Sequence, residues 1–414
     1  MKLTKTQKKQ RILMMVFGAL AIFFTGYPHV WSVYQPYVME QAGWTQGQAS
    51  LCFYIALATF VFGNIVGGRI QDKYNPRLVI FIGGGIFTAG ILLTAFLIMP
   101  SPLPVYITYG VMQGFGQGMI YTTIISTAQK WFPGRTGFAS GVVVTANGLC
   151  GFFLAPISRK MLELGGLKIT FLVIGVAIGV SWILCSSFFF IPDAKWRLEA
   201  EKQLREKSGT SKKTVQQKQY TSSEMMRTKS FYLLLATMLF GLISYFMISP
   251  ISQTYQIGLG IPAAAAVSAV MLGSIVNAST RLILPALSDK VGRLVCIKGV
   301  LIISVIAMVL LCVSQSYVVT AVIVLIYGCY GGIMGSFPSF TSAIFGIEHS
   351  GENYGFVMFG IVFATIGAPV ITNAVIGNGY DIRVVFAMGT VFAALAFLSI
   401  TFLQKELKKQ NQER

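Results

Sequence analysis

One arginine, Arg281, stands inside the apolar stretch SIVNASTRLILPALSDK, residues 274–290. A charge at the centre of a membrane helix costs about 2.5–3.5 kcal/mol on insertion scales, so it is rarely there without a task. The helix reaches an aqueous face near Asp289, eight residues further on. That places Arg281 about 12 Å deep at 1.5 Å per residue, near the middle of a ~30 Å hydrocarbon core. Asn277 and Ser274, four and seven residues earlier, share its face. All fourteen Asp and Glu residues fall in loops, tails or helix ends, so no membrane carboxylate is on offer. The guanidinium fork matches a carboxylate, and a bound organic anion is the expected counter-charge. A structural arginine bonded to backbone carbonyls is the alternative.

Other polar residues are expected to line the same cavity. Gln113, Gln117 and Tyr121 recur every four residues around the glycines of GFGQG, and Tyr330 lies in GCYGG. Tyr27, His29 and Tyr34 follow the first apolar run. Tyrosines would supply hydroxyl donors and an apolar wall, with ordinary packing as the competing reading for each. His29 is the candidate for proton coupling, because an unperturbed imidazole titrates near pH ~6.5. Its competing reading is a neutral, hydrogen-bonded histidine.

This chemistry is binding, not catalysis. Paired membrane acids for an aspartyl protease are absent, and His29 is the only membrane histidine for a serine–histidine pair. No Gly-x-x-x-x-Gly-Lys-Ser/Thr segment exists for ATP. The six cysteines (52, 150, 185, 296, 312, 329) show no metal spacing and read as packing residues. No enzyme activity, cofactor or metal is expected. An anion channel or a transporter-like sensor are the other classes, and counterflow of labelled substrate separates a channel from a carrier.

The elements that must hold these residues are membrane helices. Of 414 residues, 54% are hydrophobic and only 11% charged, against roughly 25% charged in a soluble domain. Twelve spans are predicted, at 12–38, 47–71, 77–98, 103–131, 136–158, 168–191, 230–256, 262–289, 294–314, 317–345, 353–377 and 383–404. With the N-terminus inside, 27 of 32 Lys and Arg fall on the cytoplasmic side. That is the positive-inside bias, and it explains the net charge of +18 without nucleic acid. Both termini are then cytoplasmic. The first apolar run exceeds a signal-peptide core and is read as a retained span.

A polar stretch at 192–229, with ten basic and five acidic residues, separates an N-terminal six-helix bundle, 1–191, from a C-terminal one, 230–414. Its first part, AKWRLEAEKQLREK, has amphipathic helical spacing; the remainder reads as flexible linker. The halves echo each other: GRIQDKYNPR follows the second span and PALSDKVGRL the eighth, with Asp-Lys pairs 217 residues apart. Six spans repeated around a cytoplasmic hinge suit a carrier that rocks two bundles about a central site.

The motif Gly68-x-x-x-Asp72-Lys73 resembles the loop signature of the major facilitator superfamily, departing from it at Asn75, where glycine is usual. WFPGRTGFASG (131–141), SEMMRTKSFYLLL (223–235), SFPSFTSAIFG (336–346) and NYGF (353–356) are similar to one branch, the monocarboxylate transporters with the bacterial oxalate–formate antiporters. The first-span Asp-Gly signature of the animal members is replaced by TGYPHVWSVY, which favours a bacterial member.

The resemblance implies an all-α membrane fold of twelve helices in two bundles. It implies a cytoplasmic latch at Asp72 and a carboxylate-binding role for Arg281; Lys73, Arg77 and Asp289 are expected beside the latch, and Asn277, Gln117, Tyr121, Tyr330 and Tyr34 are expected from their placement to share the site with Arg281. In the antiporters a lysine follows the NYGF stretch by five residues; here that position is Ile361, and no Lys or Arg occurs between Glu352 and Arg383. The expectation is a secondary carrier of small monocarboxylates such as lactate or pyruvate. It would be proton-coupled and monomeric, in the inner cell membrane. The alternative is an exchanger of the oxalate–formate type.

Overall fold

The computed structural model describes residues 4–98, 100–193, 195–197, 199–200 and 218–412. Most of the amphipathic stretch expected at 194–207, and the start of the flexible linker after it, lie outside them. The described residues are helical, without strands. The long helices are α1 (Lys5–Phe24), α2 (Trp31–Ala42), α3 (Gln46–Lys73), α4 (Pro76–Leu97), α5 (Gly114–Trp131) and α6 (Thr136–Ser187). They continue with α7 (Lys229–Ile248), α8 (Ala263–Val291), α9 (Arg293–Val313), α10 (Tyr317–Phe345), α11 (Phe359–Gly377) and α12 (Ile382–Gln412).

Polar residues start these helices where the apolar runs begin. Thr4 and Thr45 each close a capping box with a glutamine three residues on, satisfying backbone donors that a helix start leaves open. Asn75 does the same for α4: it is extended, at φ −147°, and its Oδ1 accepts from Arg77 N at 2.9 Å, with Pro76 at the first helical position. The turn after Asp72-Lys73 therefore needs no left-handed residue, and a capping asparagine serves where glycine was expected.

Among the described residues, ten helices are long and apolar enough to cross a bilayer. One of these is the 52-residue α6, broken at Gly166 (φ 68°, ψ −173°). At about 1.5 Å per residue it is far too long for one crossing, and the break divides it into the expected fifth and sixth spans. The expected fourth span, 103–131, falls into three pieces, Leu103–Val105, a π-helix over Tyr106–Gln113, and α5. Large apolar side chains stand exposed along the helices, Leu164 at 76% and Val313 at 71% among them. Such faces suit lipid, since every backbone polar group of a helix is satisfied within the segment. The protein is an all-α, multi-pass membrane protein.

The chain divides into two compact units. Unit 1 comprises Met1–Gln219 together with Ser342–Phe356; unit 2 comprises Tyr220–Thr341 and Val357–Arg414. In unit 1, α3 packs on α5 through glycines. A Cβ at Gly114 would strike Thr59 and Ala56, and one at Gly118 the Phe60 carbonyl. In unit 2, α7 packs on α11 and α12, and α9 on α12.

Candidate substrate site

Arg281 lies on α8 and is 5% exposed. Two glycines of α10 bring its backbone close to that helix. A Cβ at Gly335 would lie 2.5 Å from the Arg281 carbonyl oxygen, and one at Gly331 would collide with the Asn277 carbonyl. Thr280 Oγ1 donates to the Gly328 carbonyl at 2.8 Å across the same joint. From this anchored backbone, Arg281 Nε donates to Asn277 Oδ1 at 2.9 Å, one turn back. The guanidinium carbon stands 5.5 Å from the centre of the Tyr330 ring, within cation–π range. The structure thus brings Arg281, Asn277 and Tyr330 together, the three expected site residues on α8 and α10.

Residues that the sequence did not single out complete this cluster. Tyr245 on α7 stacks on Tyr330 with centroids 4.0 Å apart and planes 13° from parallel. Phe246 meets Tyr330 edge-on at 5.7 Å, and Tyr327 meets Tyr245 at 5.0 Å. The Tyr327 hydroxyl lies 3.2 Å from Ser249 Oγ. Tyr327 and Tyr330, three apart on one helix, share a face, and that spacing was the only local signal. Nothing in the sequence near 245 points to a partner 85 residues away. Ile361, on α11, is 6% exposed.

The remaining expected site residues belong to unit 1. Gln117 Nε2 donates to the Thr25 carbonyl at 2.7 Å, while Asn147 Nδ2 donates to Thr25 Oγ1 at 2.9 Å. The Tyr34 hydroxyl lies 2.6 Å from Ser158 Oγ, within an aromatic cluster that includes Tyr27, Tyr109 and Phe171. Tyr121 is buried, edge-on to Phe60 at 5.2 Å. His29 is exposed and faces Phe53 at 5.7 Å. Buried polar atoms remain in this interior: both amide atoms of Gln113 and the hydroxyl of Tyr109 have no hydrogen-bond partner among the described residues.

The expected latch residues lie near the end of α3 (Asp72, Lys73), at the start of α4 (Arg77) and near the end of α8 (Asp289). Asp72 Oδ1 accepts from Lys130 Nζ at 3.3 Å, with both side chains 10% exposed or less. His349 Nδ1 lies 3.8 Å from Asp72 Oδ2. Arg77 donates to the Phe189 carbonyl and covers Phe190; Lys73 lies over the Tyr74 ring. Asp289 pairs with Arg293 at 3.1 Å. The segment 342–356 adds further contacts inside unit 1. Arg69 reaches Glu352 at 2.7 Å, Ser126 meets Ser350 at 2.8 Å, and Ser342 donates to Gln129 at 2.6 Å. Among the described residues no group of His, Cys, Asp and Glu is placed to hold a metal ion.

Three comparisons bear on this arrangement. The chain is 25% identical over 392 residues to the oxalate:formate antiporter of Oxalobacter formigenes, covering 93% of this chain and 89% of that protein. It is 26% identical over 362 residues to the uncharacterized MFS-type transporter YhjX of Escherichia coli, 87% of each chain. Monocarboxylate transporter 13 of Bos taurus matches at 29% over 109 residues, 26% of this chain and 25% of that one. Among solved structures, the transporter FucP in its outward conformation superposes with a TM-score of 0.70 at 12% identity, covering 95% and 99% of the two chains. The proton:xylose symporter XylE gives 0.73 at 12% identity, over 96% of each. These two likenesses show the fold alone. The profile of the Major Facilitator Superfamily matches residues 13–346; the chain is a transporter, not an enzyme, and belongs to that superfamily.

Proposed function

We propose that the protein is a secondary carrier of small monocarboxylates, lactate- or pyruvate-like, that works by alternating access and holds the substrate carboxylate at Arg281. The observation that carries this reading is the buried guanidinium fixed by Asn277 and Tyr330. Asn277 accepts from Arg281 Nε, and the planar guanidinium fork suits a carboxylate. The similarity to an oxalate:formate antiporter over 93% of this chain supports a small organic anion as substrate. Gln117, Tyr121, Tyr34 and Ile361 are proposed to line the path from their positions within each unit. Asp72, with Lys73, Arg77 and Asp289, is proposed to latch the cytoplasmic side.

Proton coupling is part of the proposal, with His29 as the titrating group. A bacterial inner membrane with both termini cytoplasmic is the proposed setting. Exchange of one organic anion for another is the second reading, favoured by the antiporter similarity, and it needs no proton carrier.

The test is uptake of labelled C1–C4 acids into proteoliposomes, with and without an imposed pH gradient. Accumulation driven by the gradient supports symport; uptake that needs an internal anion supports exchange. Arg281→Ala should abolish uptake while the protein still inserts and folds. Arg281→Lys should also be poor, because an ammonium lacks the planar fork. Normal substrate affinity in the alanine variant would defeat the proposal.

A further inference from the structure

Asp72 has one oxygen well supplied and one that is not. Its Oδ1 accepts from Lys130 Nζ at 3.3 Å and from Gln71 Nε2 at 3.2 Å. Its Oδ2 is buried and accepts no hydrogen bond among the described residues. The basic group facing Oδ2 is His349, whose Nδ1 lies 3.8 Å away, too far for a hydrogen bond and within ion-pair reach. His349 belongs to the segment 342–356 of unit 1, which docks closely: a Cβ at Gly68 on α3 would strike the backbone of Gly351 and Glu352. Asp72 is 8% exposed, whereas 36% of the His349 side chain meets solvent. The imidazole can exchange its proton with water while the carboxylate stays sheltered.

The neighbouring charges are matched elsewhere. Glu348 pairs with Arg197 at 3.2 Å, Glu352 with Arg69 at 2.7 Å, and Lys73 lies over the Tyr74 ring. Lys130 and the start of the short helix Ser350–Val357 oppose a cation at position 349. Lys130, however, is bound at the other oxygen, and a helix end carries about half a charge. The carboxylate at 3.8 Å outweighs them. We propose that His349 is a pH sensor on the Asp72 latch: protonated, it gives Oδ2 a charged partner and fastens the 342–356 segment to α3; neutral, it releases that hold. The inference rests on the reading of Asp72 as a cytoplasmic latch. An imidazole changes charge between about pH 5 and 8, so the hold is complete on the acid side and is lost as pH rises. A carrier that brings in an acid with its proton lowers the internal pH, and a latch that tightens in acid then slows further uptake.

The experiment follows hydrogen exchange of the 342–356 backbone amides, which reads local opening, in the intact protein in detergent. Wild type, His349→Gln and His349→Arg are compared at the same pH, so that intrinsic exchange rates cancel. At about pH 5.5, where an imidazole is mostly charged, wild type should exchange about fivefold more slowly than His349→Gln, as for a modest ion pair. At about pH 8 the two should match, and His349→Arg should protect the segment equally at both. Counterflow of the C1–C4 acid with the highest wild-type uptake, in proteoliposomes with equal pH on both sides, should run slower in wild type than in His349→Gln on the acid side only. A loss of protection in His349→Gln that is equal at both pH values would make the histidine merely structural and overturn the sensor. If Asp72→Asn leaves segment and counterflow as in wild type at every pH, the latch falls and the sensor with it. If Asp72→Asn frees the segment while His349→Gln keeps the wild-type pH response, the sensor alone is overturned. Should Asp72→Asn fail to fold, the two His349 variants decide: equal exchange in both at about pH 8 defeats the proposal.

Discussion

A single guanidinium can match one carboxylate, and a second carboxylate on the same substrate would need its own cation. Ile361 is aliphatic and buried where the resembling antiporters carry lysine. An unpaired ion in a low-dielectric site carries a penalty of several kcal/mol, and about 1.4 kcal/mol is already tenfold in affinity. A monocarboxylate should therefore be preferred over oxalate by at least ~100-fold. Competition measurements check this: oxalate that displaces labelled lactate or pyruvate as well as the unlabelled acid does would refute the monocarboxylate reading. Ile361→Lys should cut monocarboxylate uptake and raise uptake of the dianion. For His29, exposed beside Phe53, symport predicts that His29→Gln loses pH-gradient-driven accumulation and keeps exchange. Unchanged accumulation would remove it from coupling. Arg281 was legible in the sequence because a lone charge in an apolar run is conspicuous, and Asn277 because it lies one turn away. Tyr245 was not, since its stacking on Tyr330 joins two helices far apart in sequence. The hydrogen bonds of Tyr34 to Ser158 and of Gln117 to the Thr25 carbonyl were hidden for the same reason: spacing marks a face but does not say what meets it.

Helix existence was readable from hydropathy, and helix integrity was not. The apolar run at 103–131 contains no proline beyond Pro104 and nothing that announces a π-helix, yet Tyr106–Gln113 is one. Likewise the loop expected between the fifth and sixth spans is a helical break at Gly166, whose φ of 68° a side chain would strain. In the sequence the glycines gather at GFGQG and GCYGG. The structure refines this into specific joints, and the joints make a paired prediction. Gly335→Ala puts a methyl against the Arg281 carbonyl and should destabilise the protein by about 1–3 kcal/mol, as overpacking does. Gly299, inside α9, has nothing within 4 Å of the added methyl. There alanine should be neutral or stabilising by up to ~1 kcal/mol. Thermal unfolding of the two variants in detergent checks the pair; equal shifts would mean that the α8–α10 joint has slack.

On the scale of the molecule, the polar stretch at 192–229 and the repeated Asp-Lys pairs are what the expected six-plus-six division rests on, whereas the two compact units meet at Gln219 and Tyr220 and exchange the segment Ser342–Phe356. Where the segment between α10 and α11 packs was not legible, because ion pairs between distant loops leave no periodic trace. Arg69 pairs with Glu352 of the segment, while Asp72, which His349 of the segment faces at 3.8 Å, pairs with Lys130; the two ion pairs differ in strength. Lys130 and Asp72 are both nearly buried, and removing one partner of a buried pair costs about 3–5 kcal/mol. Arg69 is 66% exposed, so its pairing with Glu352 contributes about 0–1 kcal/mol. Lys130→Ala leaves Asp72, the carboxylate that His349 faces, without its buried cation and should loosen the 342–356 segment through Asp72, whereas Arg69→Ala should barely do so. Labelling of a cysteine placed by Ser350→Cys reads the difference, since Ser350 is 3% exposed. Equal labelling in both variants would deny Lys130 its part in holding the segment.

Ser342–Phe356 is encoded in the second half of the chain but belongs to unit 1, and this bears on how the protein can be taken apart. A cut between residues 192 and 229 yields two polypeptides, neither of which carries a whole unit 1. The amino-terminal fragment has Asp72, Lys130 and Ser126 but lacks His349 and Ser350, so a buried ion pair and a hydroxyl are left open to water. Expressed alone, it should be degraded faster than when its complement is made in the same cell. The two fragments together should restore transport, with each half acting as the assembly template for the other.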